Sequence, residues 1–146
     1  MGARVDPVIG GLLRERKIQR FRASRETILK ELEGARYDLD KARVSLDQGD
    51  YKWSTVQAYY SMFHSARALL YSKGYREKSH SALLEALTSL FVRTGLLERD
   101  YVDDLRDAKD MRESADYGMV FSEEGARTLI INADKFLRKA AETLES

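Results

Sequence analysis

The sequence predicts an all-α fold, an up-and-down antiparallel bundle of about five helices, four long and one shorter. Three observations carry that expectation. Pro7 is the only proline among 146 residues, and because proline costs ~3 kcal/mol inside a helix, the rest of the chain can form helices unbroken. Glycine supplies the punctuation instead: Gly49, Gly74, Gly95 and Gly118 each follow a helical pattern, where a left-handed C-terminal residue is wanted. Between these glycines, apolar side chains recur with a period of about 3.6.

The first helix is expected over residues 25–48, where Ile28, Leu32, Ala35, Leu39, Ala42 and Leu46 alternate in steps of four and three and form one stripe. The second, over residues 51–72, has Asp50 as its N-cap. It carries Val56, Tyr59, Tyr60, Met62, Phe63, Ala66, Leu69 and Leu70, apolar around most of its circumference, which places it at the bundle centre. A third is expected over residues 79–94, built on Leu83, Leu84, Leu87, Leu90 and Phe91, and a fourth over residues 99–117, built on Val102, Leu105, Ala108, Met111 and Ala115. The fifth opens at Ser122, an N-cap followed by Glu123 and Glu124 where the helix dipole favours anions, and continues to Leu144. No β-alternating run competes, and short connections favour antiparallel neighbours.

Composition narrows the function classes. The length suits one domain. Zero cysteines exclude a disulfide scaffold, a thiolate zinc site and a cysteine nucleophile, and fit a reducing, cytoplasmic location. The longest apolar-plus-glycine run, residues 8–13, is too short to span a membrane or to serve as a secretory signal. The net charge of +1 conceals an asymmetry: in residues 1–25, Arg4, Arg14, Arg16, Lys17, Arg20, Arg22 and Arg25 oppose Asp6 and Glu15, giving +5, which leaves −4 for the rest. Residues 1–24 therefore read as a basic N-terminal arm and residues 25–146 as the bundle domain. Such a charge run is either solvated or a contact for RNA phosphate or the acidic body of a second copy. RNA held there would be released steeply by salt.

Standard catalytic and nucleotide signatures are absent: no phosphate-binding glycine loop, no nucleophile elbow and no metalloprotease helix motif. His64 and His80 fall on different predicted helices, a weak basis for a metal, and neither metal nor cofactor is expected. His64 shares a stripe with Tyr60, Arg67 and Tyr71, which either packs at the bundle rim or walls a groove offering aromatic faces and a cation. His80 follows Ser79 at a helix start behind Lys73, Arg76 and Lys78, a corner suited to simple capping or to a phosphate. The densest cluster is Arg106, Lys109, Asp110, Arg112, Glu113, Asp116 and Tyr117. Arg112 and Asp116 stand at i, i+4, an ion pair worth ~0.3–0.5 kcal/mol if exposed. Arg112 with Tyr117 also suits bidentate phosphate binding and base stacking.

The string Ala58-Tyr59-Tyr60-Ser61-Met62-Phe63-His64-Ser65-Ala66-Arg67-Ala68-Leu69-Leu70, with Gly74 and Lys78-Ser79-His80-Ser81 after it, resembles the HEPN family (higher eukaryote and prokaryote nucleotide-binding). The Arg112-Glu113-Ser114-Ala115-Asp116-Tyr117 segment looks like the fourth-helix motif of a prokaryotic branch, and Leu12-Leu13-Arg14-Glu15-Arg16-Lys17-Ile18 is similar to the lead-in of some members. The resemblance implies a helical bundle that dimerises, encoded in many cases beside a minimal nucleotidyltransferase in a toxin–antitoxin pair. Many members are metal-independent ribonuclease toxins, in which an arginine steadies the scissile phosphate and a histidine, after four to six intervening residues, handles a proton. Arg112 matches the arginine. The histidine positions hold Tyr117, Gly118 and Met119, and Asp116 comes one position early. His64 or His80 can substitute only if the fold brings one beside Arg112. In some paired systems the nucleotidyltransferase adds a nucleotide to a tyrosine near this motif, which makes Tyr117 the modification candidate.

The expectation is thus a nucleotide- or RNA-binding module, homodimeric and partnered with a nucleotidyltransferase, lacking ordinary HEPN ribonuclease activity. Its binding residues would be Arg112, Asp116, Tyr117, Tyr60, His64, Arg67, Lys78 and His80. The alternative is a metal-independent ribonuclease toxin using Arg112 with His64 or His80.

Overall fold

A computed structural model describes residues 6–145. Helices α2 (Arg25–Asp47), α3 (Tyr51–Ser72), α4 (His80–Leu87), α5 (Arg99–Tyr117) and α6 (Glu123–Glu145) form the expected bundle. The third predicted helix is two pieces, α4 followed by a wider π-helical turn over Thr88–Val92.

Helix α3 is central, packing against α2, α4, α5 and α6. Its approach to α2 uses small residues: Ser54, Ala58, Ser61 and Ser65 are buried facing Ala35, Leu39 and Ala42. Ser54 Oγ donates to the Ala42 carbonyl at 2.8 Å and Ser61 Oγ to the Ala35 carbonyl at 2.7 Å. The Ser54 and Ser61 hydroxyls thereby enter the seam with their hydrogen bonds satisfied, whereas the buried Ser65 Oγ has no partner. Behind α3, Leu69, Leu87, Leu105, Leu129 and Phe136 fill the core.

The caps behave as their chemistry requires. Asp50 accepts from Trp53 N at 3.1 Å, Ser79 from Ala82 N at 3.1 Å and Ser122 from Gly125 N at 3.0 Å. Gly49, Gly74 and Gly95 adopt φ of +77°, +88° and +81°. Gly118 departs from the expectation, with φ −98°; Met119 takes the left-handed conformation at φ +54°. Val120 N then reaches back to the Ser114 carbonyl at 2.9 Å, the oxygen that also accepts from Gly118 N at 3.1 Å. A side chain at Gly118 would meet that same carbonyl oxygen at 3.0 Å, so glycine serves here for space rather than for φ.

Before α2, two further elements appear that apolar periodicity does not reveal. Helix α1 (Pro7–Arg14) has Asp6 as N-cap, accepting from Val8 N at 2.8 Å, and buries Ile9 and Leu12. Strand β1 (Ile18–Arg20) pairs antiparallel with β2 (Tyr75–Glu77), Ile18 opposite Glu77 and Arg20 opposite Tyr75. The expectation that no strand occurs is therefore corrected: three residues per strand are too few to register as alternation. Ile9, Leu12 and Ile18 belong to the core cluster, so from residue 6 to 20 the basic segment is part of the folded body. Arg4 lies outside the described residues.

Candidate functional site

The ribbon, α3 and the start of α4 enclose a cleft against α5. It has a volume of about 320 Å³ and is lined by Tyr59, Tyr60, Phe63, Glu77, Lys78, Ser79, His80 and Arg112. Arg112 projects inward from α5, and aromatic rings surround its guanidinium: Cζ lies 5.9 Å from the Tyr59 ring centre, 5.5 Å from Tyr60 and 5.8 Å from Tyr117. Nη2 donates to Tyr60 Oη at 3.1 Å and stands 3.4 Å from Asp116 Oδ2, the expected i, i+4 pair. Nε is buried with no hydrogen-bond partner.

His80 occupies the first position of α4. Its Nδ1 lies 3.2 Å from Tyr59 Oη, and its Nε2 is buried with no partner. Burial, then the Lys109 charge, pushes the imidazole down to about 4, so the ring is neutral at pH 7. Burial pushes the Tyr59 phenol up to about 12, so it keeps its proton. If Tyr59 O–H donates to Nδ1, the phenol proton is used and only the Nε2–H lacks a partner. If Nδ1–H donates to Tyr59, both the phenol proton and the Nε2 lone pair lack one. Fewer orphan groups favour the first arrangement, since each buried orphan costs ~1–3 kcal/mol. His80 then presents a neutral N–H donor, as Arg112 Nε presents a charged one. Exposed Lys78 adds a cation at the rim.

Glu77 is the carboxylate in the cleft. Its pKa is raised by burial, with Arg67 and Arg76 acting in the opposite sense, and Oε1 has no partner. Sequence reasoning passed over Glu77 and used Tyr59 only as a core residue. A polar tip on a tyrosine at a core position was the available signal for Tyr59; none existed for Glu77.

The structure takes His64 elsewhere. Its ring packs on Gly34 of α2, with Nδ1 2.6 Å from Glu31 Oε2 and Nε2 3.4 Å from Asp38 Oδ2. Burial pushes the Asp38 carboxyl up, with His64 pulling it down. Arg67 connects this cluster to the cleft wall, 3.7 Å from Glu31 Oε1 and 3.1 Å from Glu77 Oε2. Of the polar stripe expected along α3, Tyr60 lines the cleft with Arg112, His64 and Arg67 form this charged clasp, and Tyr71 is buried beside Phe21. Tyr117 is 76% exposed and Asp116 is half-buried. Among the described residues no group of three or more His, Cys, Asp or Glu is arranged to hold a metal ion, and no helix is long and apolar enough to cross a membrane.

The comparisons agree with one another. A protein of Methanocaldococcus jannaschii named "Putative toxin MJ0605" is 30% identical over 122 residues, covering 83% of this chain and 91% of the relative. The "UPF0332 protein PH1297" of Pyrococcus horikoshii is 37% identical over 76 residues, 52% of this chain and 54% of that one. The crystal structure of TT1696 from Thermus thermophilus superposes with a TM-score of 0.67 at 22% identity, covering 80% of this chain and 97% of its own, a likeness of fold. The model of the HEPN domain matches residues 29–144. With that match spanning α2 to α6, the chain belongs to the HEPN domain family.

Proposed function

We propose that the chain is a HEPN-type binding module whose cleft holds the phosphate of a nucleotide or of an RNA end. One observation carries this: two buried N–H donors without partners, Arg112 Nε and His80 Nε2, line one cleft with a free cation, Lys78, at its edge. Buried polar groups are almost always paired. The two donors call for an acceptor-rich ligand, and a phosphoryl group offers several oxygens; the third unpartnered atom of the cavity, Glu77 Oε1, is left for a hydroxyl of the same ligand. The Tyr60 and Tyr117 rings beside Arg112 give a base surfaces to stack on.

The same proposal includes a cytoplasmic homodimer working beside a minimal nucleotidyltransferase, with exposed Tyr117 as the side chain such a partner would modify. It also holds that ordinary HEPN ribonuclease chemistry is lacking, because Tyr117, Gly118 and Met119 occupy the histidine positions. Titration of ATP against thermal stability tests the binding: saturating ligand must raise Tm by mass action. No shift at millimolar ATP contradicts a mononucleotide ligand.

A second reading has its own support, since His80 lines the cleft with Arg112 and relatives carry the name toxin. The ribose 2′-oxygen would attack phosphorus and give its proton to His80 Nε2 while the P–O5′ bond breaks and the 5′-oxygen takes a proton from solvent water, yielding a cyclic phosphate and a 5′-hydroxyl. That requires the opposite tautomer, with Tyr59 accepting from Nδ1–H. Metal-free RNA cleavage that disappears in Arg112→Ala would establish this reading over the binding module.

A further inference from the structure

The basic N-terminal segment is not used by the cleft, yet the fold gives it a definite place. Pairing of strand β1 with β2 sets the segment 14–25 beside the segment 73–78. Nine cations stand there, Arg14, Arg16, Lys17, Arg20, Arg22, Arg25, Lys73, Arg76 and Lys78, against Glu15 and Glu77, a net +7 in a chain of +1. All nine are exposed. Glu77 is turned inward to Arg67 at 3.1 Å, which removes it from the surface balance. Apart from Lys17 with Glu15 at 3.8 Å, none of the nine forms an ion pair among the described residues.

Three features make this more than a solvated patch. Arg20, Arg22 and Lys73 ring a hollow of about 430 Å³ with Phe21, Gly74 and Tyr75, and no carboxylate lines it. The Arg76 guanidinium lies 5.4 Å over the Phe21 ring, leaving an aromatic-backed plane on which a base can stack. The ribbon also leads to the cleft: Lys78 N donates to the Lys17 carbonyl at 2.9 Å, and Lys78 lines the cavity that holds Arg112 and His80.

We infer that the β1–β2 ribbon is a docking platform for the phosphate backbone of single-stranded RNA, running from the hollow at Arg20, Arg22 and Lys73 to the Arg112 cleft. It rests on the cleft's taking a phosphate. A strand of RNA fits better than the acidic face of a second copy because cations alternate with ring and guanidinium planes, which suits bases and phosphates together.

The test uses a fluorescein-labelled 12-nucleotide single-stranded RNA, read by anisotropy over a salt series, with AMP titrated in parallel. Exposed Arg20 and Arg22 can be changed together, Arg20→Gln/Arg22→Gln, with the thermal transition confirming the fold. The expected result is RNA binding weaker by at least about tenfold near 0.1 M salt, a salt slope shallower by about 1.4 because each lost contact removes ~0.7, and unchanged AMP binding. Unchanged RNA affinity and slope would overturn the inference. So would unchanged RNA binding with a halved solution mass, which would assign the ribbon to contact between copies. If AMP fails to bind the native chain while the double variant still loses RNA, the ribbon stands and the cleft reading falls.

Discussion

Two histidines on neighbouring helices serve opposite ends in this molecule. His64 has an acceptor at each ring nitrogen, Glu31 and Asp38, and packs on Gly34. His80 has one partner, Tyr59, and one buried nitrogen with none. The clasp around His64 joins α2 to α3 and, through Arg67, to β2. Its charged groups pair with one another, as in a structural device, although Arg67 Nε and Glu77 Oε1 make no hydrogen bond. The cleft around His80 is unfinished in the same terms, and a ligand completes it.

Substitutions that break this contrast should differ in what they disturb. The largest effect is expected on stability at the clasp. Arg67→Met takes the cation from Glu77, whose side chain is 8% exposed, and from Glu31. Leaving a buried carboxylate unpaired should cost about 3 kcal/mol, seen as a lower urea midpoint at unchanged slope. Arg112→Ala should do the reverse, costing binding rather than fold. Loss of the charged donor is expected to weaken phosphate-ligand affinity by roughly 2 kcal/mol, about thirtyfold by titration calorimetry, with a smaller change in the urea midpoint.

The His80 imidazole supplies a pH test. Its pKa is lowered in the folded chain to about 4 from 6.5. Below the unfolded value, the unfolded chain binds a proton that the native chain refuses, so stability falls as pH drops from about 6.5 to 4 and levels off below. Because the ring is only partly buried, the loss should be about 1–2 kcal/mol. His80→Phe should flatten this part of a stability–pH curve, and an unaltered curve would refute the neutral imidazole. The smallest effect belongs to Asp116→Asn, which removes a half-exposed i, i+4 pair with Arg112 worth ~0.3–0.5 kcal/mol. Stability should change by no more than that, while anion affinity rises slightly as a nearby negative charge is lost.

The bundle was legible because its signals are local and repeated. Long helices repeat their apolar period several times, and Asp50, Ser79 and Ser122 mark starts through bonds that span three residues. Short elements offer no such repetition: α1 contains two adjacent glycines, Gly10 and Gly11, and each strand has three residues. Arg112 stood out by its place in a charged cluster, yet its bond to Tyr60 joins residues 52 apart, a distance only the folded chain closes. The histidines were alike in sequence, and what separates them is the neighbour each meets. Glu31 comes from another helix to satisfy His64, whereas nothing comes to His80 Nε2. Gly118 shows the same limit at a helix end, where the left-handed position fell one residue later, on Met119.

Because the chain has two histidines, nitrogen-15 NMR of the imidazoles during an AMP titration probes both regions in one experiment. The account predicts a saturating shift at His80 Nε2, which carries the proton and gains an acceptor, while both nitrogens of His64 stay where they were. Movement of His64 with His80 unchanged, or a His80 that holds its proton on Nδ1 and ignores the ligand, would contradict it.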